Sequence, residues 1–188
     1  MATKVKAAVM NRALVSYRKD QKKVQGFTNV VSRQLAEAGD SKAIGRMGEY
    51  LVKAELEDLG YEVKLLSGAD SCDLKIKIGQ SWKRIEVKTS KVGLNTTIRK
   101  DGTRSKIYCF NSIKPELFDM IVFVFIDYDR TVIKVGGEAA KRHIELWGAD
   151  GHNGKCLCFG ENMRNHKERG QQIFSEIKKE NVKTSLKG

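Results

Sequence analysis

The chain has 188 residues, of which 40% are hydrophobic and 31% charged, a balance that supports one packed domain and excludes a chain disordered by composition. Its longest apolar run, Met120 to Ile126, is far short of the roughly 20 residues that cross a bilayer, and Met1 to Lys6 holds no secretory-type apolar stretch. Lys and Arg total 35 against 23 Asp and Glu, a net charge of +12, which favours a polyanionic partner.

In chain order, residues 4–24 read as a loosely amphipathic basic helix, broken at Gly26. A second short helix with Val31 and Leu35 ends at Gly39. Asp40 or Ser41 can cap a third helix over about 42–59, in which Ile44, Met47, Leu51 and Ala54 recur at helical spacing and Gly60 supplies the stop. The period then changes. Tyr61 to Leu66 alternates and predicts a strand, Ser67 to Ser71 a loop, and Leu74 to Ile78 a second strand with Lys75 and Lys77 on the far face. A short turn at Gly79 to Ser81 leads into a return strand, Trp82 to Thr89.

Residues 91–105, polar and basic with Gly93 and Gly102, read as a long loop. Lys106 to Phe110 is a strand candidate and Pro115 opens a helical turn. Met120 to Ile126, apolar throughout, predicts a fully buried strand, and Thr131 to Val135 pairs back onto it. A short helix over 138–146 and a last basic helix over 171–180, carrying Ile173, Phe174 and Ile177, complete the pattern. Trp82 and Trp147 read as core anchors and His143 as a packing or surface residue. The fold class is α/β (α+β), a mixed central sheet flanked by helices. Three segments are expected: a basic N-terminal helical extension at 1–39, a core at 40–145 and a basic C-terminal segment at 146–188. Residues 1–39 carry +6 and 155–188 carry +4, whereas 40–154 carry only +2, so the ends are suited to holding phosphates around a nearly balanced middle.

Chemistry concentrates in that middle. The triplet acid-x-Lys occurs six times, at Asp20, Asp40, Glu62, Asp73, Glu86 and Glu176, so the triplet alone means little. Only Glu86-Val87-Lys88 lies on the second arm of a predicted hairpin whose first arm opens with another acid, Asp73. Residues i and i+2 of a strand share a face, so Glu86 and Lys88 project together and Val87 points inward. A register through the Gly79 to Ser81 turn brings Asp73 opposite them. Two adjacent carboxylates repel unless a positive group lies between. Mg²⁺, with Mn²⁺ as a substitute, takes such carboxylates together with waters and phosphate oxygens. It polarises a phosphodiester and acidifies water, while a neighbouring ammonium neutralises developing charge. Lys91, Arg99, Lys100 and Arg104 follow the strand, and Arg46 precedes it on the helix, as candidate DNA contacts.

Three stretches, Gly45-Arg-Met-Gly-Glu49, Ser67-Gly-Ala-Asp-Ser-Cys-Asp-Leu74 and Ile85-Glu-Val-Lys-Thr-Ser90, together resemble the PD-(D/E)XK nuclease superfamily over about Ile44 to Val135, roughly half the chain. The first is similar to the glycine- and glutamate-bearing helix of its Holliday-junction resolvases and its homing and restriction enzymes. The resemblance implies a restriction-endonuclease-like core and a Mg²⁺-dependent endodeoxyribonuclease. In it Asp73, Glu86 and the Val87 carbonyl hold the metal, Lys88 positions the water, and Glu49 assists. It further implies a product with a 5′-phosphate. Cys72 stands where the superfamily name has Pro, and Asp70 competes with Asp73 for the acidic role. Cutting a duplex needs two sites, so a homodimer is expected, with DNA as partner, no membrane and no small-molecule cofactor. Cysteines 72, 109, 156 and 158 read as reduced thiols, and the location as cytoplasmic and DNA-associated with no signal peptide. The alternatives are a non-catalytic DNA-binding module that keeps the fold and a basic ribonucleoprotein component. A zinc site at His152, Cys156, Cys158 and His166, and an HNH arrangement with Asn162, are weaker readings of the same region.

Overall fold

A computed structural model describes residues 41–66, 71–127, 131–160, 167–168 and 171–187. The expected helices before residue 40, the loop at Ser67 to Asp70, Asp70 itself, Asn162 and His166 lie outside the described residues.

Helix α1 (Ser41–Asp58) buries Ile44, Gly48, Val52 and Leu56, spaced by four so that they stack along one stripe. It stops where the sequence predicts. Gly60 adopts φ +84°, the Gly60 N–H bonds to the Glu57 carbonyl, and the Tyr61 N–H reaches back to the Leu56 carbonyl. This double bond across a left-handed glycine satisfies the last helical carbonyls. Strands β1 (Val63–Leu65), β2 (Leu74–Ile78) and β3 (Ser81–Lys91) follow as an antiparallel meander.

A long loop at 91–105 does not form. Instead β4 (Gly93–Ile98) and β5 (Arg104–Ile113) make a hairpin. Its turn is held by the Arg99 N–H bonding to the Thr103 carbonyl and the Asp101 carboxylate accepting from the Thr103 N–H at 2.9 Å. Gly102 takes φ +80° there. Asp-Gly is a strong hairpin signal, but polar and basic side chains on an exposed edge hide the strand period around it. A single 3₁₀ turn at Pro115–Leu117 precedes β6 (Met120–Ile126), buried at every position, and β7 (Thr131–Gly136) pairs back on it.

Helix α2 (Glu138–Trp147) leads to β8 (Ala149–Gly151) and β9 (Gly154–Gly160). Short pairs β10 (Lys167–Glu168) and β11 (Gln171–Gln172) precede β12 (Ser175–Glu176) and helix α3 (Lys179–Ser185). The last helix therefore starts eight residues later than predicted. A helix over 171–180 would put Ile173, Phe174 and Ile177 on one stripe. The extended chain instead delivers Ile173 and Phe174 to one core and Ile177 to the other.

The main sheet has the order β1-β2-β3-β6-β7-β12. β3 and β6 are parallel and every other pair is antiparallel. The α+β class with a mixed central sheet thus holds. One face is covered by α1 and α3, with Val52, Leu56, Val182 and Leu186 packed on Leu74, Ile76, Ile85, Val87 and Val122. The other face meets α2 and a second sheet, β4-β5-β9-β8, that the sequence did not announce. β3 links the two sheets directly: after the Val92 N–H bonds to the Ile126 carbonyl at 2.8 Å, the chain continues as β4. Between the sheets Phe110, Phe123, Phe125, Phe159 and Phe174 meet edge-on, with ring centroids from 4.7 to 5.7 Å apart in the T-shaped pairs.

Of the two predicted aromatic anchors, neither is central. Trp147, at the end of α2, is 68% exposed. Trp82 is half-buried at the start of β3, with the Lys64 ammonium 4.2 Å above its ring. Helical spacing on α2 is already used by Ala140, His143 and Ile144, which leaves Trp147 off the core stripe. No helix among the described residues is long and apolar enough to cross a membrane.

Phe123→Ala should cost about 3–5 kcal/mol by emptying the inter-sheet cluster, whereas Trp147→Ala should stay within about 0.5 kcal/mol. Chemical denaturation of both variants checks the contrast; equal effects would contradict this placement of the core.

A candidate metal and phosphodiester site on strand β3

β2 and β3 pair with Leu74 opposite Ile85. That register puts Asp73, the residue before β2, opposite Glu86. The Asp73 N–H still donates to the Ile85 carbonyl at 3.2 Å, but there the backbone ladder ends. The Asp73 side chain continues it: its Oδ2 accepts the Val87 N–H at 2.8 Å. N–H and C=O of one strand residue point to the same edge. The Val87 carbonyl therefore faces the edge that β2 no longer covers, beside the Asp73 carboxylate.

Alternation places Glu86 and Lys88 together on the opposite face from Val87. Lys88 Nζ lies 2.6 Å from Glu86 Oε1, and the two side chains are only 20% and 14% exposed. Shielding strengthens the attraction within this pair, but taking both charges out of water costs at least as much, so the pair is no net source of stability. Glu86 is held above the usual carboxylate range. Burial is the main cause; Asp73 and Glu49 add repulsion, and Lys88 only partly offsets it.

Glu49 reaches the same neighbourhood from α1 because of a close approach between helix and sheet. A Cβ on Gly48 would stand 1.8 Å from Thr89 Oγ1, so only glycine lets the helix lie this near β3. Thr89 Oγ1 is buried under it with no hydrogen-bond partner among the described residues. Glu49 pairs with Arg46, which also lies 5.4 Å from the Tyr50 ring centroid. Burial raises the Glu49 carboxyl, and the Asp73 charge pushes it further up against the pull of Arg46.

Glu49, Asp73, Glu86 and Lys88, chosen from the sequence, thus converge, with Val87 between them. The remaining predicted contacts divide. Arg46 belongs to this cluster. Lys91 ends β3 and is exposed. Arg99, Lys100 and Arg104 are exposed at the β4–β5 turn. Three further contacts missed in the sequence brace β3 and its neighbours. Asp119 accepts the Arg84 N–H at 2.7 Å and pairs with its guanidinium. Ser90 Oγ accepts the Cys109 N–H at 3.1 Å, fixing β3 to β5. Buried Asp127 receives Lys106 Nζ at 3.1 Å and the Tyr108 hydroxyl at 3.2 Å. Isolated polar residues beside apolar runs give no sequence signal of such cross-strand pairings.

No three His, Cys, Asp or Glu side chains among the described residues are gathered tightly enough to hold a metal unaided. Cys156 and Cys158 do share one side of β9, as Cys-x-Cys predicts, without a described third ligand. A Mg²⁺ ion does not need three side chains, since it is commonly bound through one or two carboxylates and keeps several waters. The donor set at Asp73 and Glu86 is all oxygen, and its mutual repulsion is what a hard cation would relieve.

No protein-family model matches this chain, and no curated protein matches it. Among solved structures it is similar to that of a bacterial homing endonuclease, I-Ssp6803I, with a TM-score of 0.48 and 15% identity, over 79% of this chain and 95% of that chain.

Because the folded chain holds the Glu86 proton more tightly than the unfolded one, stability is lost as pH rises from the ordinary glutamate range through the raised native value. Glu86→Gln removes that loss. Its melting temperature should exceed the parent's by a few degrees at pH 8, with the gap closing toward pH 4. A variant less stable than the parent at pH 8 would show that the Lys88 pair outweighs the clustered charge.

Proposed function

We propose that this chain is a Mg²⁺-dependent endodeoxyribonuclease of the PD-(D/E)XK type, acting on DNA as a homodimer. The observation that carries the reading is the closure of Asp73 onto the Val87 N–H. It brings a carboxylate, a free-edge carbonyl and the Glu86–Lys88 pair to the point where β2 stops. A structural role for Asp73 alone would need only that hydrogen bond. It would not call for two further half-buried carboxylates, each pushed toward protonation.

In this reading Asp73, Glu86 and the Val87 carbonyl hold the metal. When bound, the ion supplies Lewis acidity toward the phosphoryl oxygens and a water of lowered pKa. Lys88 donates a proton-bearing ammonium toward the attacked phosphate, where negative charge grows. Glu49 adds carboxylate density from the helix side and orders Arg46, whose guanidinium is half-exposed and can meet a backbone phosphate. The β4–β5 turn presents Arg99, Lys100 and Arg104 to solvent. Arg99 lies eleven positions beyond Lys88, at most about 36 Å of extended chain. That is close to one turn of duplex, roughly 34 Å, so the hairpin can grip the backbone up to a turn away from the scissile bond. A restriction, homing or junction-resolving role would follow from which substrate is cut.

The test incubates the full chain with plasmid, branched DNA and single strands, in Mg²⁺, Mn²⁺ or EDTA. Cutting is expected with either ion and not in EDTA. Lys88→Ala should lower the cleavage rate by about 100-fold or more with binding retained. Asp73→Asn keeps an oxygen for the Val87 N–H and should fold, yet lose cutting and lose the rise in melting temperature that Mg²⁺ gives the parent. Undiminished cutting by Lys88→Ala would remove the mechanism, and binding without cutting by the parent would leave a DNA-binding module.

Replacing Arg99, Lys100 and Arg104 together by Ala should reduce the slope of log affinity against log salt by about 2–3 if each meets one phosphate. An unchanged slope, measured by DNA binding across a salt series, would take the hairpin out of the interface.

A further inference from the structure

The outer face of the second sheet carries three of the four cysteines. Cys109 of β5 lies directly opposite Cys158 of β9, and Cys156 is two residues along on the same face of β9. The Cys109 N–H turns away from β9, donating to Ser90 Oγ. Cys109 and Cys158 are therefore a non-hydrogen-bonded antiparallel pair, the kind whose Cα atoms stand only about 4.5 Å apart with side chains closest. A disulfide needs Cα atoms about 4.4–6.8 Å apart, a range that includes the spacing typical of such pairs. The diagonal to Cys156 is about 7–8 Å, at or beyond the limit. Cys72 is buried on the other side of the molecule's main sheet edge, its Sγ directed at the Leu74 carbonyl. Both Cys109 and Cys158 are exposed.

We propose that Cys109 and Cys158 form a redox-active dithiol that closes reversibly into a cross-strand disulfide, with a small-molecule disulfide such as oxidised glutathione as the oxidant. The Cys109 thiolate attacks one sulfur of oxidised glutathione, expels a glutathione thiolate and leaves a mixed disulfide at Cys109. Cys158 then gives up its proton and attacks the Cys109 sulfur, expelling the second glutathione thiolate, which takes up a proton. In sum the two protein thiols are oxidised and one glutathione disulfide is reduced to two glutathione thiols. The order of attack follows from the surroundings. Burial, a hydrogen bond with Cys109 and repulsion from Cys109 and Cys156 push the Cys158 thiol up to about 12, so it keeps its proton and serves as the resolving thiol after Cys109 has made the first attack. Once Cys109 is capped, that hydrogen bond and repulsion are gone and Cys158 becomes the better nucleophile.

The bond would close across β5 and β9 one residue pair from Phe110 and Leu157, in the layer that seals the phenylalanine cluster. The same Cys109 backbone grips Ser90, two residues beyond Lys88 on β3. The oxidation state is thus set beside the strand that carries the candidate site, although the dithiol stands on the strand register alone.

The test equilibrates the full chain in glutathione buffers of graded ratio, alkylates remaining thiols and maps the linked peptides by mass spectrometry. A Cys109–Cys158 link is expected in the parent and in Cys156→Ser, with loss of 2 Da from the linked pair and return to free thiols in dithiothreitol. Cys109→Ser and Cys158→Ser should each lose it. A predominant link to Cys156, or parent thiols that stay fully alkylatable in the most oxidising buffer, would overturn the proposal.

Discussion

One hydrogen bond organises the candidate site: the Asp73 carboxylate takes the place of a backbone carbonyl at the end of β2. A strand that simply stopped at Leu74 would leave the Val87 N–H facing an open edge, and a buried unpaired N–H costs about 1–3 kcal/mol. A strand that continued would cover the Val87 carbonyl as well. Asp73 satisfies the donor without pairing with the acceptor, and it places a negative charge there at the same time. The position of Glu86 follows from the same register, since it sits across from Asp73 with Lys88 beside it. Moving the hairpin by one residue would send Glu86 and Lys88 into the core and Val87 outward.

The second constraint is steric. Helix α1 meets β3 at Gly48 and Thr89 with no room for a methyl group. One residue later Glu49 enters the electrostatic field of Asp73 and Glu86. Larger residues at 48 would lift the helix and separate Glu49 from the strand. The glycine therefore sets a distance between layers, while Gly60 and Gly102 set backbone turns. These are different physical uses of the same residue type.

Much of the main sheet was legible in the sequence because its signals were strong. Alternation at Leu74 to Ile78, the unbroken apolar run at Met120 to Ile126 and the glycine stop at 60 each specify one local structure, and Asp73, Glu86 and Lys88 fell together because the hairpin register followed from them, whereas Glu49 joins them through the helix contact at Gly48. Of the second sheet only β5 was legible, as the strand expected at Lys106 to Phe110. Its strands β4 and β8 are exposed along an edge, so Leu94 and the flanking polar residues carry no inward period. The Asp101-Gly102 turn was the one local clue. The helix expected at 171–180 failed for a related reason: Ile173, Phe174 and Ile177 fit a helical stripe, but two cores on opposite faces of the sheet competed for them. Tertiary demand overrode spacing, and no window of the chain contains that information.

The two halves of the molecule explain one another energetically. The acids clustered around one strand end oppose folding, because Glu49 and Glu86 are each pushed toward protonation where they should be charged. Such a cluster survives only on a scaffold with stability to spare. β6, buried at all seven positions, is paired on both sides and lies between two hydrophobic clusters. It lies directly beside β3, with Ile121 aligned to Glu86 and Phe123 to Lys88. A wholly apolar strand therefore supports one rich in charge. The backbone ladder between them fixes β3 regardless of the repulsion among its side chains. A site that must keep carboxylates close together is best built on such a neighbour, since relaxation by strand displacement would break the parallel ladder and expose the phenylalanine cluster behind it.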